Sequence, residues 1–185
     1  MPQRTSAPPR LALVIVLLMA ACHPTQAPEP VISVLGGLEA QHQRLDEALA
    51  RFESIGLKLP DLVVVISDDD QDCEGQMGLF DPTPSPWRIT ICTSADFIYE
   101  HELAHAWERA NLTDQDRRAF MSISGHNSWA DPGDAWIDRG VEGVAFIIQQ
   151  GLLTQPLAHP PSREISWRMK LFEVLTGRPS PRLGQ

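Results

Sequence analysis

The sequence predicts a small α+β domain, a short sheet followed by a mainly helical C-terminal part. Three observations predict it. Short apolar runs at 62–66, 76–80 and 87–92 have strand length and are bounded by Pro, Gly or Asp. Apolar residues recur at spacings of three, four and seven over 37–55 and in several segments beyond 93. At 185 residues and 43% hydrophobic, the chain can bury one core without a scaffold of several disulfides. Its net charge of -9 and the lack of a basic stripe argue against nucleic acid as a partner.

The first thirty residues read as an address. Arg4 and Arg10 precede the apolar run from Leu11 to Ala21, which is short for a transmembrane helix and has the length of a signal-peptide core. Residues 1–21 are therefore expected to be a signal peptide, and the mature protein to be exported. Ala20 and Ala21 directly before Cys22 resemble a bacterial lipobox, with Met19 where that motif usually has Leu. The resemblance implies that Cys22 is lipidated, becomes the new N-terminus and anchors the chain to the membrane on the periplasmic side of the cell envelope. A plain signal peptide cleaved near Ala21 is the alternative.

Removing Arg4 and Arg10 with the signal changes the charge from -9 to -11. With Cys22 lipidated, Cys73 and Cys92 remain as an even pair in an oxidising compartment, so one disulfide is expected. Residues 22–30 are Pro-rich and polar and suit a tether.

The folded domain is expected over 31–177. Leu38, Leu45, Ala48, Leu49, Phe52 and Ile55 mark an amphipathic helix from about Gly37 to Ile55, closed by Gly56. Leu62 to Ile66 is a β-branched run suited to a buried strand. Asp68, Asp70 and Asp72 alternate like a calcium loop, but Cys73 and Leu79 stand where that loop needs Gly and Glu, so the segment reads as a solvated loop. Gln76 to Phe80 and Trp87 to Cys92 then read as two strands of a hairpin, joined through Pro82, Pro84 and Pro86 and closable by a Cys73–Cys92 bridge.

Thr93 or Ser94 as cap and Asp96 in the first turn predict the start of a helix that runs without Gly or Pro to about Asn111. It carries His101-Glu102-Leu103-Ala104-His105. At about 100° per residue the two imidazoles lie about 40° apart, close enough to reach one ion, with the Glu102 carboxylate beside them. This is the His-Glu-x-x-His pattern of zinc hydrolases.

Catalytic zinc usually takes three protein ligands and leaves a fourth position to water. Glu142 is the leading third ligand: it lies in a helix expected from about Asp134 to Gln150 among Val141, Val144, Ala145, Ile147 and Ile148, where a carboxylate is costly unless a cation meets it. His126, Asp131 and Asp134 compete for the role. They sit in a Gly- and Pro-punctuated loop that leads into the Glu142 helix. Two readings of His126 stand, a stabiliser of the oxyanion and a surface histidine.

Helix, strand, hairpin and metal helix in that order resemble the small α+β lobe of zincin metallopeptidases. His101-Glu102-x-x-His105 followed 37 residues later by a helical Glu142 resembles the gluzincin arrangement in particular. The resemblance implies His101, His105 and Glu142 as Zn2+ ligands, Glu102 as general base, and a peptide or protein substrate bound along a sheet edge formed by one strand of the 77–92 hairpin. Two departures stand out. No His occupies the metzincin position after His105, and no Asp follows Glu142 at three or four residues, where several gluzincins carry a supporting carboxylate. Asp138, one turn earlier, is expected to orient Glu142 instead.

Tyr99 projects about 160° from His101 and is set aside. Glu108 either accepts a hydrogen bond from a ligand imidazole or faces solvent, the second being favoured. Thr113 caps an expected helix to about Ser124, Pro156 to Pro161 breaks the chain, and Ile165 to Leu175 forms a last helix closed by Gly177, before a loose tail from Arg178. The expected function is a zinc metallopeptidase of the cell envelope. Its alternatives are a non-catalytic metal-binding lipoprotein and a zinc amidohydrolase acting on a non-peptide substrate.

Overall fold

A computed structural model describes residues 29–153 and 162–181, with the side chains of 162–165 excepted. The expected signal segment, Cys22, most of the tether and the 156–161 break lie outside the described residues. Four strands form one sheet: β1 (Ile32–Gly36), β2 (Leu62–Ile66), β3 (Gly78–Asp81) and β4 (Trp87–Ile91), in the order β1-β2-β4-β3. β2 pairs in parallel with both β1 and β4, and β3 runs antiparallel to β4 at the edge. The helices are α1 (Glu39–Ser54), α2 (Ile98–Asn111), α3 (Asp114–Ser124), α4 (Gly140–Leu152) and α5 (Ser162–Thr176). The expected α+β class, with a helical C-terminal part, is what the chain adopts.

Alternation along β2 sets the layers. Leu62, Val64 and Ile66 are buried while Val63 and Val65 between them are only half-buried, so one face of the sheet takes the core. Ile89 and Ile91 of β4 join that face, and Leu45, Ala48 and Phe52 of α1 and Leu103 of α2 close over it. α2 is the centre of the molecule: every residue from Ile98 to Glu108 is buried. It packs on α4, on α1 and on strands β3 and β4.

Several boundaries differ from expectation. β1 adds a strand to those the sequence predicts; Ile32 to Gly36 is short, and its partner β2 lies about thirty residues away across α1. α2 begins at Ile98, not at Thr93 or Ser94. Thr93 Oγ1 instead accepts from Ala95 N–H at 3.3 Å, and Arg44 of α1 holds the segment outside the helix by pairing with Asp96 at 2.7 Å and donating to Ser94 O.

α4 begins at Gly140, because 134–139 is drawn into a tight loop with a 3₁₀ turn at Trp136–Asp138. Arg139 donates to Asp134 O and Pro132 O from within it. The acidic segment carries a 3₁₀ turn at Asp70–Cys73, with Asp69 accepting from Gln71 N–H. Thr113 and Asp116 form the reciprocal capping box that starts α3. The tail is anchored rather than loose as far as it is described, since Ser180 is buried and donates to Gly151 O at 2.9 Å.

Cys73 and Cys92 form the expected disulfide, 19 residues apart in the chain. It ties the 3₁₀ turn before β3 to the end of β4, and so fixes the segment that leads into the edge strand. Replacing both cysteines by Ala should cost about 3 kcal/mol through the extra entropy of the unfolded loop. Urea unfolding of wild type and double variant measures it; equal midpoints would show that the bridge does not constrain the fold.

Candidate metal centre

Two helices assemble the centre. His101 and His105 stand one turn apart on α2, and Glu142 enters from the first turn of α4, where the N-terminal end of the helix favours a carboxylate. His101 Nε2 and His105 Nε2 each lie 3.2 Å from the same atom, Glu142 Oε2. One donor atom from each of the three residues lies within 4.8 Å of the others, and this group can hold a metal ion. Two imidazole nitrogens and one carboxylate oxygen around one point are the protein share of an open metal site.

Aromatic rings fix the imidazole planes. Phe80 of β3 stacks on His105 with centroids 6.4 Å apart, and Trp136 lies over His101 at 5.8 Å. The two imidazoles stand at 87° to each other.

The electrostatics follow from burying these charges together. Burial pushes the Glu142 carboxyl up, but hydrogen bonds from both imidazoles outweigh it and pull the pKa down to about 2. For His105, burial disfavours the charged ring, yet its bond to Glu142 and the nearby carboxylates of Glu102, Glu142 and Glu108 leave its pKa raised. Burial raises Glu102, and the two imidazoles offset that only in part. A positive charge is wanted between the three donors.

A cleft of about 660 Å³ opens onto the centre. The chain from Gly75 to Phe80, including the outer edge of β3, forms one wall, and Trp136, Arg139 and Val141 belong to the lining as well. Glu102 lines the cleft without belonging to the ligand group. Its carboxylate lies so close to β3 that a Cβ on Gly78 would sit 2.6–2.8 Å from Glu102 Oε1, Cγ and Cδ. Gly78 therefore makes the room that Glu102 occupies.

The remaining candidates are placed elsewhere. His126 does not line the metal cleft. It lines a second cavity of about 210 Å³ on the other side of Glu142 and Trp136, stacked on Phe120 and bonded through Nδ1 to Ser124 Oγ at 2.7 Å. Gly143 lets its ring lie against α4, since a Cβ there would collide with the imidazole. Asp131 accepts from Gly133 N–H in its exposed loop, Asp134 meets Arg139 through its backbone, and neither joins the ligand group.

Asp138 is exposed and makes no hydrogen bond to Glu142 among the described residues. Tyr99 is buried, with its hydroxyl unpartnered, outside the cleft lining. Glu108 is buried rather than solvent-facing, 3.5 Å from Arg117, and burial raises its pKa.

Three contributors escaped sequence reasoning. Gly78 and Arg139 carry no motif, and Gln149, whose Oε1 lies 3.2 Å from His101 Nδ1, sits seven residues after Glu142 on the same face of α4. That i,i+7 spacing was the available signal. Comparison with protein-family models, with curated proteins and with solved structures returned no match.

A metal must displace protons from the imidazoles before it binds. Because the raised pKa of His105 keeps its proton in competition at higher pH while Glu142 stays ionised down to about 2, metal affinity should fall as pH drops from about 7 to about 5, with no further break near the usual carboxylate range. Equilibrium dialysis across that interval checks it. An affinity that held through pH 5 and fell only near 4 would assign the competing proton to a carboxylate.

Proposed function

We propose that this chain is a zinc-dependent metallopeptidase of the bacterial cell envelope, of the gluzincin type that His101-Glu102-x-x-His105 and Glu142 resemble. One observation carries the reading: Glu102 stands beside the converged His101, His105 and Glu142 donors, in the same cleft, yet is not one of them. A purely structural ion would give no reason to bury a fourth ionisable group there at the cost of its desolvation. The donor set of two nitrogens and one oxygen suits zinc. Bound there, zinc supplies Lewis acidity that polarises a carbonyl and makes water nucleophilic near neutral pH.

The chain's own groups do the rest. Glu102 takes a proton from the attacking water and delivers it to the leaving nitrogen, and its upward-shifted pKa suits both halves of that transfer. The outer edge of β3, unpaired among the described residues, offers backbone donors and acceptors to an extended peptide, which β-strand addition would lay along the cleft wall. Arg139, held by the carbonyls of Pro132 and Asp134, places a cation in the cleft for the substrate's carbonyl oxygens. His126 lines the second cavity rather than this cleft, and these steps give it no role. An oxidising compartment is supported by the Cys73–Cys92 bridge, and the lipobox-like Ala20-Ala21-Cys22 supports anchoring there.

Mature wild type should bind about one zinc per chain, and His105→Ala should lose it. Glu102→Gln should keep zinc and fold while peptide cleavage falls by about 10²–10⁴-fold, read by mass spectrometry on an unbiased peptide library. Equal cleavage by Glu102→Gln would exclude the base, and a zinc-loaded wild type that cleaves nothing would defeat the peptidase.

Gly78→Ala should mimic the loss of the base without touching a ligand. Zinc content stays at the wild-type level and cleavage drops at least about 10-fold as the methyl displaces the Glu102 carboxylate. Unchanged turnover in that variant would show that Glu102 has another productive position.

A further inference from the structure

We infer that Gln149 is the residue that orients His101 for metal binding, an amide taking the place that a carboxylate holds in many histidine metal sites. The inference rests on the metal reading above and adds a residue to it. His101 is buried, at 6% exposure, so both of its ring nitrogens need partners inside the protein. Nε2 faces Glu142 Oε2 and the ligand group, and Nδ1 faces Gln149 Oε1 at 3.2 Å. For Nε2 to give its lone pair to a metal, the ring proton must sit on Nδ1 and be donated to an acceptor. Gln149 Oε1 is that acceptor.

Position on α4 makes the role specific. Glu142 and Gln149 are seven residues apart, two turns along one face, so the helix that delivers a ligand to the metal also delivers the group that fixes a second ligand. Gln149 is 3% exposed and stands among Val144, Ala145, Ile147, Ile148 and Leu152, where an amide with no polar task would be destabilising.

The choice of an amide over a carboxylate has an electrostatic reason. Glu102, Glu142 and Glu108 already place three acids around His105. A fourth negative charge on α4 would be buried beside them. The amide accepts the same hydrogen bond and leaves two carboxylates in the cleft, Glu102 and Glu142, to balance a divalent ion.

The test is zinc affinity, measured by competition with a chromophoric chelator on the folded, disulfide-bonded protein. Gln149→Leu keeps the volume and removes the acceptor, and should weaken zinc by about 10–100-fold. Gln149→Glu restores an acceptor and should bind zinc within a few-fold of wild type, because the bound divalent ion offsets the added charge, whose cost falls on the melting temperature of the metal-free protein. Thermal unfolding of each metal-free variant separates packing from this effect, because the orienting role predicts that affinity follows the acceptor and not the melting temperature. In the zinc-loaded wild type, nitrogen-15 NMR should show His101 with its proton on Nδ1, and in Gln149→Leu that proton should exchange faster with water.

Equal zinc affinity in wild type and Gln149→Leu would overturn the role of Gln149 and leave the metal centre standing. So would a loss in Gln149→Glu as large as in Gln149→Leu. A wild type that takes up no zinc would overturn both. None of these readouts requires turnover, so failure of the peptidase reading alone leaves the inference intact.

Discussion

α2 is buried from Ile98 to Glu108 and still carries five ionisable side chains in nine residues, Glu100, His101, Glu102, His105 and Glu108. An ionised group left unpaired in such a place costs several kcal/mol, so each must be met by something from elsewhere in the chain. Arg51 of α1 reaches Glu100, Arg117 of α3 approaches Glu108, and Glu142 of α4 takes both imidazoles. The helices around α2 are thus positioned by polar demands as well as by apolar packing. Of the three acids on this helix only Glu102 lines the cleft, and among the described residues no arginine pairs with it.

Meeting those demands requires close approach, and glycines supply it where a side chain would intrude. Gly140 and Gly151 let α4 lie against Met121, Trp129 and Phe172, while Gly143 admits the His126 ring. Gly78 does the same on β3 for Glu102. The disulfide holds the turn that leads into β3, so the spacing between Glu102 and the edge strand is set partly by a covalent link outside the motif. The cleft lies between the edge strand β3 and the buried helix α2.

The same geometry divides α4 by function along one face. Glu142 at its first turn contacts both histidines, and Gln149 two turns later contacts the far side of one of them. On its other side Gly143 and Ile147 border the second cavity with His126. Two histidines that look equally available in the sequence are therefore separated by a helix: His101 belongs to the metal group and His126 does not.

Local chemistry made much of this legible from the sequence. The 3.6-residue period marked α1, apolar runs of strand length marked β2 and β4, Thr113 as a cap marked the start of α3, and the even cysteine pair marked the disulfide. His101 and His105 could be read as one site because an α-helix fixes their separation without help from the rest of the chain. Glu142 could be proposed because a carboxylate in an apolar helix demands a partner. Where α2 and α4 begin was not legible, since Arg44 and Arg139 hold the preceding segments out of the helices by contacts made in space. The strand character of β1 depends on a partner thirty residues away, and the burial of Glu108 depends on α3 folding over it. Gly78 has no local signature, and Gln149 has only its spacing of seven from Glu142. Their roles are distances to Glu102 and His101, and such distances exist only once sheet and helices have packed.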